Sequence, residues 1–283
     1  MSDPRRSPFR NAHLDHNTAA HVPDTEQTRA PSYTLAFCDE DFLLRDELRP
    51  VRLQLELLKP EMLLDEAQVN STVVLFGGAR IPADPAQART DTLARLSAYY
   101  AEAERFAAMV TQRSLASGNR DWVVTTGGGP GVMEAGNKGA HDAGGVSIGL
   151  NIVLPHEQAP NPYVTPGLCF NFHYFALRKM HFLMRARAVC AFPGGFGTLD
   201  ELFEALTLIQ TGRMARIPVL LFGRAFWEGI VNWEALAEAG TISADDLSLF
   251  RFVETAQEAM EVIDTWGSTE QRRAIPGREA GGA

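Results

Sequence analysis

Two groups of residues in this chain have the types and spacing to act together on an anion. The first is Pro193-Gly194-Gly195-Phe196-Gly197-Thr198-Leu199-Asp200-Glu201, which carries three glycines, a hydroxyl and, three residues later, a carboxylate. Glycines let backbone N–H groups approach a phosphate without a Cβ in the way, and the start of a helix adds partial positive charge. An apolar run at 188–192 leads into this turn and a helical pattern at 199–211 follows it, so Glu201 falls one turn inside a helix. The bland alternative is a capping box, in which Thr198 and Glu201 merely satisfy amides at the helix start. The second group is Arg178-Lys179, at the beginning of the preceding helical pattern and flanked by Phe172, His173, Tyr174 and Phe175. Two cations there oppose the helix dipole and are expected to meet an anion. His173 and His181 read as packed histidines, and Glu134 as a favourable charge near a helix start.

The elements that must position these groups alternate in βα fashion. Strands are expected at 72–76, 122–126, 146–151, 168–172, 188–192 and 217–222, and helices at 85–116, 132–143, 175–187, 199–211, around 226–239 and at 255–266. Short apolar strands separated by amphipathic helices imply an α/β fold, a parallel sheet with helices on both faces, which binds ligands at the carboxyl ends of its strands. Three strands end in glycines: Gly77-Gly78-Ala79-Arg80, Gly127-Gly128-Gly129-Pro130-Gly131, and the turn at 193–198. In a parallel sheet all three turns lie on one edge and can converge on one ligand. No Gly-Lys pair exists, which excludes a Walker loop, and neither Gly127 nor Gly129 starts a complete dinucleotide fingerprint.

Composition bounds the rest. The chain has 283 residues, 45% of them hydrophobic, and a net charge of −9. That is enough to pack a core, and it offers no overall attraction to nucleic acid or to an anionic membrane. Cys38, Cys169 and Cys190 lack CxxC spacing and read as reduced core thiols in a cytoplasmic protein. The basic N-terminus has no apolar stretch behind it, no run reaches the roughly 18 apolar residues of a membrane span, and no cluster has metal-ligand spacing. Residues 1–37 are polar and Pro-punctuated and are expected to be a disordered tail, as is 267–283. Leucine-dense 38–68 is expected to be a helical extension and a candidate assembly surface, with a nucleotide-binding catalytic domain at 69–266.

Arg178-Lys179, followed one helix and one strand later by a complete Pro-Gly-Gly-x-Gly-Thr-x-x-Glu at 193–201, resembles the LONELY GUY family of nucleotide phosphoribohydrolases. The resemblance covers about residues 71–266 and includes the turn at Gly127 to Gly129. It implies a Rossmann-like homo-oligomer, a dimer or larger, that needs no cofactor or metal. Such a protein hydrolyses the N-glycosidic bond of nucleoside 5′-monophosphates, AMP or cytokinin ribotides, to free base and ribose 5-phosphate. Gly78-Ala79-Arg80 stands where small plant-type members tend to have serines, and Glu134 where a glycine is common, which brings the chain closer to bacterial AMP nucleosidase-type members. On this resemblance catalysis falls to Glu201 and Arg178. Glu201, kept ionised by the helix N-terminus and Arg178, would orient water as base or stabilise the developing cation, and Arg178 would position Glu201 or the phosphate. Gly194, Gly195, Gly197 and Thr198 would hold the phosphate and Lys179 would add charge, while Gly78, Arg80, Gly127, Gly128, Gly129 and Gly131 would line the nucleotide. An older family label, lysine decarboxylase, requires a Schiff-base lysine, and Lys59, Lys138 and Lys179 all lack a suitable motif. Two other classes share the scaffold: a nucleotide sensor without turnover, and a binder of single-stranded DNA, against which the acidic balance argues.

Overall fold

The computed structural model describes residues 9–155 and 159–266. The expectation for 267–283 falls outside them, as does the first part, 1–8, of the expectation for 1–37. The chain divides into two compact units, 1–56 and 57–283.

In the first unit, α1 (Ala12–Ala19) is capped by Asn11, whose side chain accepts from the His13 amide, and none of its residues is buried. Asp39 caps α2 (Glu40–Leu43) in the same way. Arg52, in the first half of α3 (Arg49–Glu66), donates to the carbonyl oxygens of Leu43 at 2.7 Å and Arg45 at 2.5 Å. The alternation of Leu53, Leu55 and Leu57 is strand-like, but the surrounding helix formers prevail and α3 runs through Pro60.

The second unit is built on a seven-stranded sheet with every pairing parallel. Its strands are β1 (Thr72–Phe76), β2 (Val123–Thr126), β3 (Ser147–Ile152), β4 (Cys169–Phe172), β5 (Ala186–Ala191), β6 (Val219–Phe222) and β7 (Arg251–Val253), in the order β4-β3-β2-β1-β5-β6-β7. The order reverses between β1 and β5, which opens a crevice at their carboxyl ends. Helices α4 (Asp91–Leu96), α5 (Ala98–Ala116), α6 (Val132–Asp142), α7 (Phe175–Met184), α8 (Phe196–Gln210), α9 (Arg224–Ile230), α10 (Trp233–Glu238) and α11 (Ala256–Thr265) complete the unit. Val73 and Leu75 of β1 pack with Phe106 of α5, Ala135 of α6 and Ile263 of α11. On the opposite face Phe76 meets Phe182 of α7 edge to face at 5.0 Å. The fold is therefore the expected Rossmann-like α/β architecture with both faces covered.

Several boundaries differ from the sequence pattern. The helix expected at 85–116 is interrupted: a 3-10 turn at Pro85–Gln87 precedes α4, and Ser97 separates α4 from α5. Helix α7 stops at Met184 because β5 starts early; Ala186 pairs with Thr72, whose amide donates to Arg185 O at 2.8 Å. Strand β7 escapes the pattern because three residues carry too short an alternation. Cys190 is buried and Cys169 half-buried, whereas Cys38 is exposed and so is not the core thiol expected.

Candidate functional site

The three glycine turns meet at the switch point, and Gly78 stitches them together. Its amide donates to Pro193 O at 2.9 Å, and its carbonyl accepts from the Val132 amide at 3.3 Å. The turn after β1 is thus tied to those after β5 and β2. A Cβ on Gly131, whose φ is +70°, would collide with Gly78 O, so this glycine permits the close approach.

Helix α8 starts at Phe196, three residues earlier than the apolar pattern suggests, with Gly195 as an N-cap that has no side-chain capping bond. Thr198 is then the third helical residue and Glu201 the sixth, so the capping-box alternative is not realised. The amides of Phe196, Gly197 and Thr198 form the first turn, where N–H groups have no acceptor within the helix. A Cβ on Gly194 would strike the Thr198 side chain, whereas Gly195 and Gly197 have no heavy atom within 4 Å of the place a Cβ would occupy. Packing within the chain therefore demands glycine at 194 and leaves open space at 195 and 197.

These turns surround a cleft of about 860 Å³. Of the residues expected at the site, Gly78, Arg80, Gly127, Arg178, Gly194, Gly195, Gly197, Thr198 and Glu201 line it. Lys179 does not: its Nζ is held by Asp200 Oδ2 at 2.7 Å and Glu204 Oε2 at 3.0 Å, both on α8. Gly128, Gly129 and Gly131 do not line it either; the first two present their carbonyl oxygens to the Asn161 side chain at 3.1 and 3.0 Å. The sequence pattern gave no sign of the apolar wall formed by Leu93 and Leu96 of α4 with Phe226 and Ile230 of α9. Two rings at the helix starts also line it: Phe175 on α7, 53% exposed and one of the aromatics noted beside Arg178-Lys179, and Phe196 on α8, 92% exposed, to which the sequence pattern gave no role.

Arg178 and Glu201 form the charged centre of the cleft. Arg178 Nη1 donates to Glu201 Oε1 at 3.2 Å, Nε donates to Leu150 O at 2.7 Å, and the guanidinium lies 5.0 Å from the Phe182 ring centroid. The anions that answer the two cations of α7 are thus carboxylates of α8. Burial pushes the Glu201 carboxyl from its usual 4.5 up to about 7; Arg178 opposes the rise and Asp200 adds to it. The expectation of a simply ionised Glu201 is corrected accordingly: desolvation outweighs the neighbouring cation, and the group titrates near neutrality. Such a carboxylate can accept a proton from water and stabilise a developing cation. Glu134 accepts from Tyr100 Oη at 3.0 Å, and His181 is buried against Phe172 at a centroid distance of 5.3 Å. Among the described residues no group of three or more His, Cys, Asp or Glu side chains could hold a metal ion, and no helix is long and apolar enough to cross a membrane.

Residues 133–263 match the family described as "Possible lysine decarboxylase". The chain is similar to a cytokinin riboside 5′-monophosphate phosphoribohydrolase of Arabidopsis thaliana, 27% identical over 171 residues, 59% of this chain and 78% of the relative. A second enzyme of that description, from Oryza sativa subsp. japonica, is 29% identical over 143 residues, 50% of this chain and 57% of the relative. Among solved structures, the molybdenum cofactor binding protein of Rippkaea orientalis is 19% identical with a TM-score of 0.46, covering 70% of this chain and 97% of that one.

Proposed function

We propose that the cleft hydrolyses the N-glycosidic bond of a nucleoside 5′-monophosphate, releasing the free base and ribose 5-phosphate. The observation that carries this reading is that one helix, α8, presents both its uncapped N-terminus and the largely desolvated Glu201, 14% exposed at its side chain, to the same cleft. A phosphate at the amides of Phe196, Gly197 and Thr198 is favoured by their orphan N–H groups and the helix dipole. The sugar then lies toward Glu201. Water attacks C1′ as the bond to the base nitrogen breaks and the bonding pair leaves with the base. Glu201 takes one proton of the water, and that proton passes on to the departing base nitrogen, which frees the neutral base and restores the carboxylate. Arg178 orients the carboxylate, which also faces the cationic character that builds at C1′. The exposed rings of Phe175 and Phe196 offer faces for the base.

The two plant relatives, named as phosphoribohydrolases of cytokinin riboside 5′-monophosphates, support the reaction type. AMP is the proposed substrate because Gly78-Ala79-Arg80 and Glu134 set the chain apart from small plant-type sequences. The decarboxylase description finds no support in the lysines. Lys138, beside Glu104 and Asp142, and Lys179, beside Asp200 and Glu204, have their pKa values raised, whereas a Schiff-base amine must be neutral to react. The proposal extends to a homo-oligomer assembled through 38–68, and the three free thiols support a cytoplasmic setting.

The test is incubation of purified protein with a panel of nucleoside monophosphates, followed by chromatography for free base. Adenine release that Glu201→Gln lowers by about 10² to 10⁴, with AMP binding retained, is the expected result. Tight AMP binding with no base released from any substrate would leave a nucleotide sensor instead.

A further inference from the structure

We infer that Asn161, closed in a hydrogen-bonded ring with Asn137, Thr126 and Gly128, is a positioning residue that sets the Arg178–Glu201 pair through the glycine turn after β2. Asn161 Nδ2 donates to Gly128 O at 3.1 Å, Gly129 O at 3.0 Å and Asn137 Oδ1 at 2.9 Å, and the Asn161 amide adds a 2.8 Å bond to Gly128 O. Asn137 Oδ1 also accepts from Thr126 Oγ1 at 2.6 Å, and Thr126 Oγ1 accepts from the Gly128 amide at 2.9 Å. The ring thus holds Gly128 by both its N–H and its C=O. Asn137 Nδ2 anchors it to Ser147 Oγ of β3 at 2.9 Å. All four members are buried, where a polar network with its partners satisfied holds its geometry tightly.

The residue before the held glycine carries the consequence. A Cβ on Gly127 would come within 2.6 Å of Arg178 Nη2, so the guanidinium rests against the bare Cα of Gly127. Leu150 O fixes the Nε side of that guanidinium and Glu201 takes Nη1. Loosening the turn removes one wall of this slot and lets the guanidinium move away from the carboxylate. Thr126, Asn137 and Asn161 come from a strand, a helix and a loop, and none of them lines the cleft.

The groups facing Glu201 are Arg178 and Lys179 from α7 and Asp200 and Glu204 from α8, with Arg80 of the turn after β1 on the same cleft. Of these, Arg178 is the one that rests on the Gly127 turn. An opposite charge within about 4–6 Å lowers a carboxyl pKa by about 1–3. Partial loss of Arg178 should therefore raise the Glu201 midpoint by about half a pH unit or more.

The experiment is a carbon-13 titration of glutamate carboxyls in the substrate-free protein, with the Glu201 signal assigned by its loss in Glu201→Gln. Asn161→Ala and Asn137→Ala should each raise the midpoint. Val124→Ala, which cuts a cavity into β2 but keeps the ring, should lower stability and leave the midpoint in place. In an Arg178→Ala background Asn161→Ala should add no further shift. An unmoved midpoint in either folded ring variant, or an equal shift in Val124→Ala, overturns the inference. In kinetics, which rest on the hydrolase reading, Asn161→Ala should lower kcat about tenfold or more with KM within about twofold. The titration needs no turnover, so a protein that releases no base would sink the hydrolase reading while the positioning claim was still decided.

Discussion

Replacing Glu201 with glutamine should make the protein more stable at neutral and alkaline pH while removing its chemistry. The Glu201 side chain is 14% exposed, and burial lifts its carboxyl from 4.5 in the unfolded chain to about 7 in the fold. A raised acid pKa means that the native state holds the proton more tightly than the unfolded state, so stability falls as pH rises from about 4.5 and levels off above about 7. At about 1.4 kcal/mol for each pH unit between the two values, ionising this carboxyl in place costs about 3 kcal/mol once titration is complete. Glutamine resembles the protonated acid in shape and still offers Oε1 to Arg178, but never has to ionise. Relative to wild type, Glu201→Gln should gain about 2 kcal/mol between about pH 5.5 and 8.5, whatever constant offset the substitution brings. Urea unfolding of both proteins across that range measures the difference, because titrating groups that do not interact with Glu201 cancel between them. A difference that stays flat, or that shrinks as pH rises, would mean that Arg178 and the helix N-terminus hold the carboxylate ionised, and the assignment of Glu201 as a near-neutral base would fail.

Base release should show an acid limb near pH 7, with kcat/KM falling about tenfold for each pH unit below it as Glu201 is protonated; a flat profile from about pH 5.5 to 8 removes Glu201 from the base role. Gly197→Ala should fold normally, since its Cβ enters open space, yet raise KM for a nucleoside monophosphate about tenfold or more by crowding the phosphate, with no effect on the free nucleoside. Gly194→Ala should instead lose stability, read as a lower Tm, because its Cβ meets the Thr198 side chain. Lys179→Ala should change KM by less than about threefold and stability by about 1 kcal/mol or less, its amine being spent on Asp200 and Glu204 at the protein surface; a large rise in KM would show that the lysine leaves those partners for substrate.

Much of the fold was legible in local order. Runs such as Val73-Val74-Leu75 and Val123-Val124, each followed by glycines and then by an amphipathic helix, specify a buried parallel strand, a tight turn and a crossover without reference to anything distant. Parallel pairing then puts every turn of that kind on one edge, so the neighbourhood of residues 78, 127 and 194–201 followed from the amino-acid order alone. Which strands are neighbours did not follow: the reversal between β1 and β5 reflects how whole βα units pack, and short apolar runs are interchangeable in that respect. The same limit governed the site. Thr198 and Glu201 have capping-box spacing, and only the start of α8 at Phe196 shows that the carboxylate is not used that way. Arg178 and Lys179 are adjacent and equally cationic in the sequence, yet successive helical residues point about 100° apart, and α8 gives one of them a place in the cleft and the other a pair of outer carboxylates. The charge state of Glu201 and the grip of Asn161 on the turn after β2 depend on burial and on partners far away in the chain. Residue types and their periodicity determine what each segment can become; desolvation and long-range contact, which exist only once the segments have packed, decide what each charged group then does.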